Sequence, residues 1–235
     1  MKRLFILMLA VGLLLSMAAC SSSSETASAD AEGKKVLLVR AREGGGENPL
    51  IDHLKKLGYT VYDVVDANLS MDQAKDYDVI YVSDAVSSSR IGTRLKQSPI
   101  PVVMSKTQTA GVIGMAGVTN YGEADGLKSI QIEDNKHPLA AGLKGEVAVY
   151  KDNGKISYVQ GLGKDAKIIA QVESGGQKSA VIYAYEKGAK DASGETVQAR
   201  QVFFSLPGGH VPNLTDEGWK LFDAAIAWAA QNGKK

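Results

Sequence analysis

Between Lys35 and Met104, short apolar runs alternate with segments of helical spacing, and this alternation constrains the fold most. Lys35-Val-Leu-Leu-Val-Arg40 has the length and aliphatic content of a buried strand. A loop, Ala41 to Glu47, follows. Leu50, Leu54 and Leu57 then recur at helical intervals, so a helix is predicted from about Pro49 to Leu57, with Pro49 suited to its first turn and Gly58 to its end. Tyr59 to Val65 alternates as a second strand. Met71 to Lys75 reads as a short helix and Tyr77 to Val82 as a third strand. A helix capped by Ser88 or Ser89 is predicted to reach Lys96, and Ile100 to Met104 forms a fourth strand. Strands joined by helices of about ten residues pair in parallel, which implies an α/β, doubly wound, mainly parallel sheet.

The middle of the chain reads differently. Lys128–Ile132, Glu146–Tyr150, Lys155–Val159, Lys167–Val172 and Ser179–Tyr185 are strand-like runs separated by glycine-rich or charged turns. They predict antiparallel β-ribbons added to the parallel sheet. Arg200 to Ser205 reads as a last core strand. Thr215 is placed to cap a helix running to about Gln231, with Asp216 and Glu217 in the first turn, where the helix dipole favours anions. Trp219, Phe222, Ile226 and Ala229 share one face of it and are expected to pack on the sheet. There is no internal repeat.

Ahead of this domain lie Met1-Lys2-Arg3, an apolar stretch from Leu4 to Leu15, and Ser16-Met17-Ala18-Ala19-Cys20. A basic start, a short apolar core and small residues before a cut site form a secretory signal. The stretch is shorter than the roughly 20 apolar residues a membrane-spanning helix needs. Ala18-Ala19-Cys20 resembles the lipobox of bacterial lipoproteins, with Met17 where leucine is usual. The resemblance implies cleavage after residue 19 and a diacylglycerol thioether on Cys20, hence a partner membrane and an extracytoplasmic, lipid-anchored domain at the cell membrane or outer membrane. Two or more acyl chains anchor stably where one does not. Residues 20–33, small and polar, read as a flexible tether because they cannot bury enough apolar area to offset their ordering entropy. Residues 34–235 are then one domain. Loss of Lys2 and Arg3 moves the formal charge from +1 to −1, and this balance argues against a nucleic-acid partner. Cys20 is the only cysteine, so disulfides, thiolate-bound zinc and a cysteine nucleophile are excluded from the domain.

Asn135-Lys-His-Pro-Leu-Ala-Ala-Gly-Leu143 resembles the His-Pro-(two or three residues)-Gly-Leu element of class I glutamine amidotransferase-like domains. Gln201-Val-Phe-Phe-Ser-Leu-Pro-Gly-Gly-His210, followed by Gly218 to Ala229, resembles the end of their trehalose-utilisation (ThuA-like) branch. There a strand leads into Gly-His and the last helix carries Ala-Ile-x-Trp-Ala. The likeness spans roughly Lys35 to Ala230 and implies a flavodoxin-like strand order. It also implies a kinship with modules of secreted, carbohydrate-active proteins, which makes a saccharide or an envelope protein the expected partner.

Glutamine amidotransfer needs a nucleophilic cysteine on a tight strand-to-helix turn, where backbone N–H groups meet the oxyanion. Here the strand ending at Met104 runs into Ser105-Lys-Thr-Gln-Thr109, without a cysteine or a Gly-x-Ser-x-Gly pattern. That chemistry is excluded, and Ser105 could act as a nucleophile only beside a positioned base. In open α/β sheets ligands bind beyond the carboxyl ends of the strands. The candidate ligand-binding residues are therefore Arg42, Glu43, Asp84, Ser105 and His210, with Arg40 as a further hydrogen-bonding group. Rim segments are expected at 41–47, 83–89, 105–109 and 207–210. His53 reads as a surface or boundary residue, and His137 as a turn histidine bonded to nearby backbone. Gly44-Gly45-Gly46 lacks the P-loop pattern and reads as a turn. His210 with Glu43 or Asp84 could offer metal ligands, but no close His/Asp/Glu spacing marks such a site. No metal or cofactor is expected. The leading expectation is a non-catalytic domain that binds a small polar ligand. The alternatives are a sugar-derivative hydrolase, isomerase or lyase with His210 as general base and Asp84 or Glu43 assisting, and a purely structural envelope module.

Overall fold

A computed structural model describes residues 31–205 and 208–232. The signal segment and Cys20 lie outside the described residues. The chain opens with β1 (Lys35–Arg40), α1 (Asn48–Lys56) and β2 (Thr60–Val65). Next come α2 (Met71–Ala74), β3 (Val79–Val82), α3 (Ser88–Ile91), β4 (Val102–Met104) and α4 (Thr107–Val112). The antiparallel part is β5 (Tyr121–Leu127), β6 (Ser129–Ile132), β7 (Gly145–Ala148), β8 (Gly154–Val159), β9 (Lys167–Ser174) and β10 (Gln177–Tyr185). The chain returns to the centre through β11 (Gln201–Phe204) and ends in α5 (Asp216–Gln231).

All these strands belong to one sheet of order β2-β1-β3-β4-β11-β10-β9-β6-β7, with a β5–β8 ribbon joined to β10. The five strands from β2 to β11 are parallel, as expected, and their 2-1-3-4 opening is the flavodoxin-like order. From β10 onward every pairing is antiparallel. Parallel strands buried on both faces read as continuous aliphatic runs, and Val79–Val82 and Val102–Met104 are buried throughout.

Two apolar layers sandwich the sheet. Leu50, Ile51 and Leu54 of α1 and Phe222, Ala225 and Ile226 of α5 cover one face. Ile91 of α3 and Ala110 of α4 cover the other, with Tyr183 stacked on Phe203 at 5.3 Å between centroids. Burying one such large apolar side chain contributes roughly 1.5–3 kcal/mol.

Three helical expectations change. The helix expected to reach Lys96 stops at Ile91, because Gly92 adopts φ +53° and turns the chain out of the helix. Its N-cap residue is Ser87, and neither Ser88 nor Ser89 caps it. The 105–109 segment, read as a rim loop, contributes Thr107 to Thr109 to α4. Trp219 packs against the core as expected while staying partly exposed, and it stacks on His53 of α1 at 3.9 Å.

Candidate functional site

The connections after β1 and β3 leave the sheet on opposite faces, α1 joining one core layer and α3 the other. Such a divergence opens a crevice beyond the carboxyl ends of the two strands, where ligands bind in open α/β sheets. Its floor is bridged by one short bond. Ser83 Oγ donates to Glu47 Oε1 at 2.6 Å, with Ser83 fully buried and Glu47 3% exposed. Hydrogen bonds to a carboxylate are among the strong ones. Ser83 Oγ in turn accepts from the Ala85 N–H at 3.1 Å, which fixes its rotamer. Glu47 occupies the N-cap position of α1, but its side chain makes no cap bond there. The carboxylate lies instead against the glycine turn, so that a Cβ at Gly45 would stand 2.4 Å from Glu47 Oε2. Gly44, at φ +65°, supplies the left-handed turn that brings the chain round.

Beside this bridge stands a buried pair of hydroxyls. Ser105 Oγ donates to the Tyr81 hydroxyl at 3.1 Å, and the Tyr81 ring packs edge-on to Phe222 of α5 at 5.6 Å. Burial holds the Tyr81 phenol far above its ordinary titration range. The charges of Asp84 and Glu47 push the same way, against the Ser105 bond. Tyr150 is raised likewise, by burial first and then by Asp84 and Tyr81. Its O–H donates to the Lys155 carbonyl at 3.1 Å. The crevice thus sets acidic side chains beside phenols that keep their protons. It offers polar hydrogen-bonding groups.

The structure places the expected site residues unevenly. Asp84 is half-buried at the crevice, 3.4 Å from Ser83 Oγ. Arg42 and Glu43 are exposed on the loop after β1. Ser105 is 2% exposed, closed in beneath Tyr81. The backbone of His210 lies in a short 3₁₀ segment, Gly208–Asn213, beyond β11; its side chain is outside the described residues. Arg40 is a correction: it is buried, ion-paired with Asp63 of β2, and bonded to Asn48 Oδ1 at 3.2 Å, so those guanidinium N–H groups are already engaged. The turn after β4 is ordinary as well. Lys106 has φ −91° and ψ 108°, and the non-glycine residues with positive φ among those described are Gln97, Ala141 and Asn232, none at a strand-to-helix nucleophile position. Glu47 and Ser83, which carry the bridge, stood in the expected rim segments without being singled out. Tyr81 and Tyr150 read in the sequence only as strand residues.

The other two histidines are structural. His137 Nδ1 accepts from the Leu139 N–H at 3.2 Å, as the turn reading expects. Its ring packs on Trp228, with Arg200 over the same indole at 4.1 Å. Arg200 immediately precedes β11, so this cluster lies at the amino end of that strand, across the sheet from the crevice. His53 Nε2 meets Asp223 Oδ1 at 2.6 Å and pins α1 to α5. Among the described residues, no three His, Cys, Asp or Glu side chains gather closely enough to hold a metal ion.

No protein-family model and no curated protein matches this sequence. Solved structures do match its fold. A GMP synthase-type protein from Thermoplasma acidophilum aligns with a TM-score of 0.55 at 12% identity, over 84% of this chain and 95% of its own. PurLQS from Thermotoga maritima aligns at 0.49 and 11% identity, over 83% and 98%. A glutamine amidotransferase from Thermotoga maritima aligns at 0.45 and 8% identity, over 83% and 82%. The alignment at a TM-score of 0.55 shows that the chain shares the α/β fold of the Thermoplasma acidophilum protein, and at 12% identity the likeness concerns fold and not activity.

Proposed function

We propose that this chain is a membrane-tethered binding protein of the extracytoplasmic space, with a ThuA-like domain that holds a small polar ligand at the β1/β3 crevice and catalyses no reaction. Cys20 carries the lipid and the polar residues after it are the tether, which ends before Ala31, since Ala31 is fully buried in the core of the domain and not part of a tether as expected. A saccharide is the favoured ligand, and an envelope protein is the other partner the surface could serve. One observation carries the non-catalytic reading. Where this fold positions a nucleophile, the turn after β4 has unstrained backbone and no thiol, and its serine is buried against Tyr81. The crevice floor is likewise closed by the Ser83–Glu47 bond. What faces outward is Asp84 with the exposed Arg42 and Glu43, groups suited to hydroxyl-rich ligands. Among the described residues no helix is long and apolar enough to cross a membrane.

Isothermal titration against a glycan panel tests the domain, with saturable heat expected from at least one member and its loss expected in Asp84→Ala. No heat from any glycan, together with no captured envelope protein, contradicts the reading. The intact mass of the mature protein tests the tether: a diacylated N-terminal Cys20 is expected, and an unacylated Cys20 still joined to its leader contradicts it.

A further inference from the structure

At the edge strand β2 the surface holds a recess lined by none of the residues named at the crevice. It encloses about 360 Å³ and is lined by Leu37, Tyr62, Val64, Gln73, Asp76 and Tyr77. That volume is at the small end of the range for ligand sites. Strand alternation puts Tyr62 and Val64 on the face of Leu37, with which Tyr62 is in register, and turns the Asp63 side chain through to Arg40 on the other face. The recess is therefore walled by two tyrosines and floored by aliphatic side chains.

The two rings stand nearly at right angles, with centroids 5.6 Å apart and 74° between planes. Tyr62 is 50% exposed, one of few large apolar side chains so open. An exposed aromatic on an edge strand gains nothing from core packing. Asp76 provides an exposed carboxylate at the rim, with Gln73 and Ser70 beside it, and no lysine or arginine lines the recess. Burial pushes the Tyr77 phenol upward, and Tyr62 and the Asp76 charge push the same way.

Aromatic faces carry negative quadrupole density and attract cations, most effectively when two faces and a carboxylate converge. An anion is opposed by Asp76 and by both rings. A purely apolar ligand leaves the carboxylate and the amide without partners. We propose that the Tyr62–Tyr77 recess binds a small organic cation free in solution, a substituted ammonium whose methyl groups lie on the rings while Asp76 balances the charge. The site is separate from the crevice and does not depend on what the crevice binds.

The test is titration of the full domain with choline and with its neutral isostere 3,3-dimethylbutan-1-ol. Choline is expected to bind saturably and the alcohol about tenfold or more weaker, because only the cation meets the ring quadrupoles. Tyr62→Ala, at an exposed position, is expected to keep the wild-type circular dichroism and weaken choline about fivefold or more, while Tyr62→Phe keeps the aromatic face and stays within about twofold. Asp76→Asn is expected to weaken choline and leave the alcohol unchanged. Equal affinity for the two probes, unchanged choline binding in a folded Tyr62→Ala, or no choline binding up to about 50 mM, where even a weak site would fill, overturns the proposal.

Discussion

At the scale of single residues, the Ser83–Glu47 bond is the feature that most shapes the crevice. Ser83→Ala removes the donor and leaves a buried carboxylate oxygen unpaired, at a cost of about 1–3 kcal/mol. Urea unfolding of the variant is expected to show that loss; an unchanged midpoint would mean that Glu47 finds another donor. His137 makes a pH-dependent contribution. Burial is the largest influence on it and lowers its pKa below the ordinary 6.5, against the raising charges of Asp134 and Glu186. Its contribution is therefore full above pH 6.5 and is lost as pH falls through the depressed folded value, where protonation also removes the Nδ1 acceptor for Leu139. Stability measured between pH 7 and 5 is expected to fall more steeply in the wild type than in His137→Asn. Equal slopes would contradict this. Local chemistry of this kind was legible in the sequence: a histidine before proline in a turn bonds to adjacent backbone. The Ser83–Glu47 bond was not, since its partners lie 36 residues apart and meet only once β1 and β3 pair. Arg40 misled for the same reason. Its partner Asp63 belongs to the next strand and becomes a neighbour only through parallel register.

At the scale of elements, α5 holds the parallel half to the antiparallel extension. Thr215 Oγ1 accepts from the Gly218 N–H at 3.0 Å and donates to the Ala148 carbonyl of β7 at 2.8 Å, so it caps the helix and ties it to the far strand. Thr215→Ala is expected to cost about 1–2 kcal/mol, the upper part of the range for N-cap loss, because both bonds go. Thermal unfolding checks it, and Thr215→Ser, which keeps the hydroxyl, is expected to retain most of the stability. This cap was readable because capping chemistry is local. The elements that escaped reading are those whose local signals oppose the final structure. Thr107-Gln-Thr-Ala-Gly-Val112 is rich in threonine and holds a glycine, a poor helix former. It is helical because Gly111 packs so closely on the next segment that a Cβ would stand 2.9 Å from Val118 Cα. Strand β5 contains Gly122 and Gly126 and mostly exposed side chains. It exists through its pairing with β8, across a register shift.

At the scale of the whole molecule, the order of the first four strands was legible because β1, β3 and β4 are short aliphatic runs and the crossovers among them carry helices. The two-layer core also sets the response to alkali. Tyr81, Tyr150, Tyr183 and Tyr185 are buried, and burial is the first cause raising each phenol above 10.0, Tyr185 to about 12. Their contribution is intact below pH 10 and is lost above it, as the unfolded chain ionises first. Phenolate absorbance at 295 nm is expected to show part of the nine tyrosines rising only together with loss of circular dichroism. Complete ionisation near pH 10 with the fold unchanged would contradict the buried assignments. The non-catalytic reading of the crevice proposed above has its own direct test. Intact-mass measurement after incubation with a fluorophosphonate tests it most directly, since this electrophile labels activated serines. No added mass is expected, and a stoichiometric adduct on Ser83 or Ser105 would contradict it.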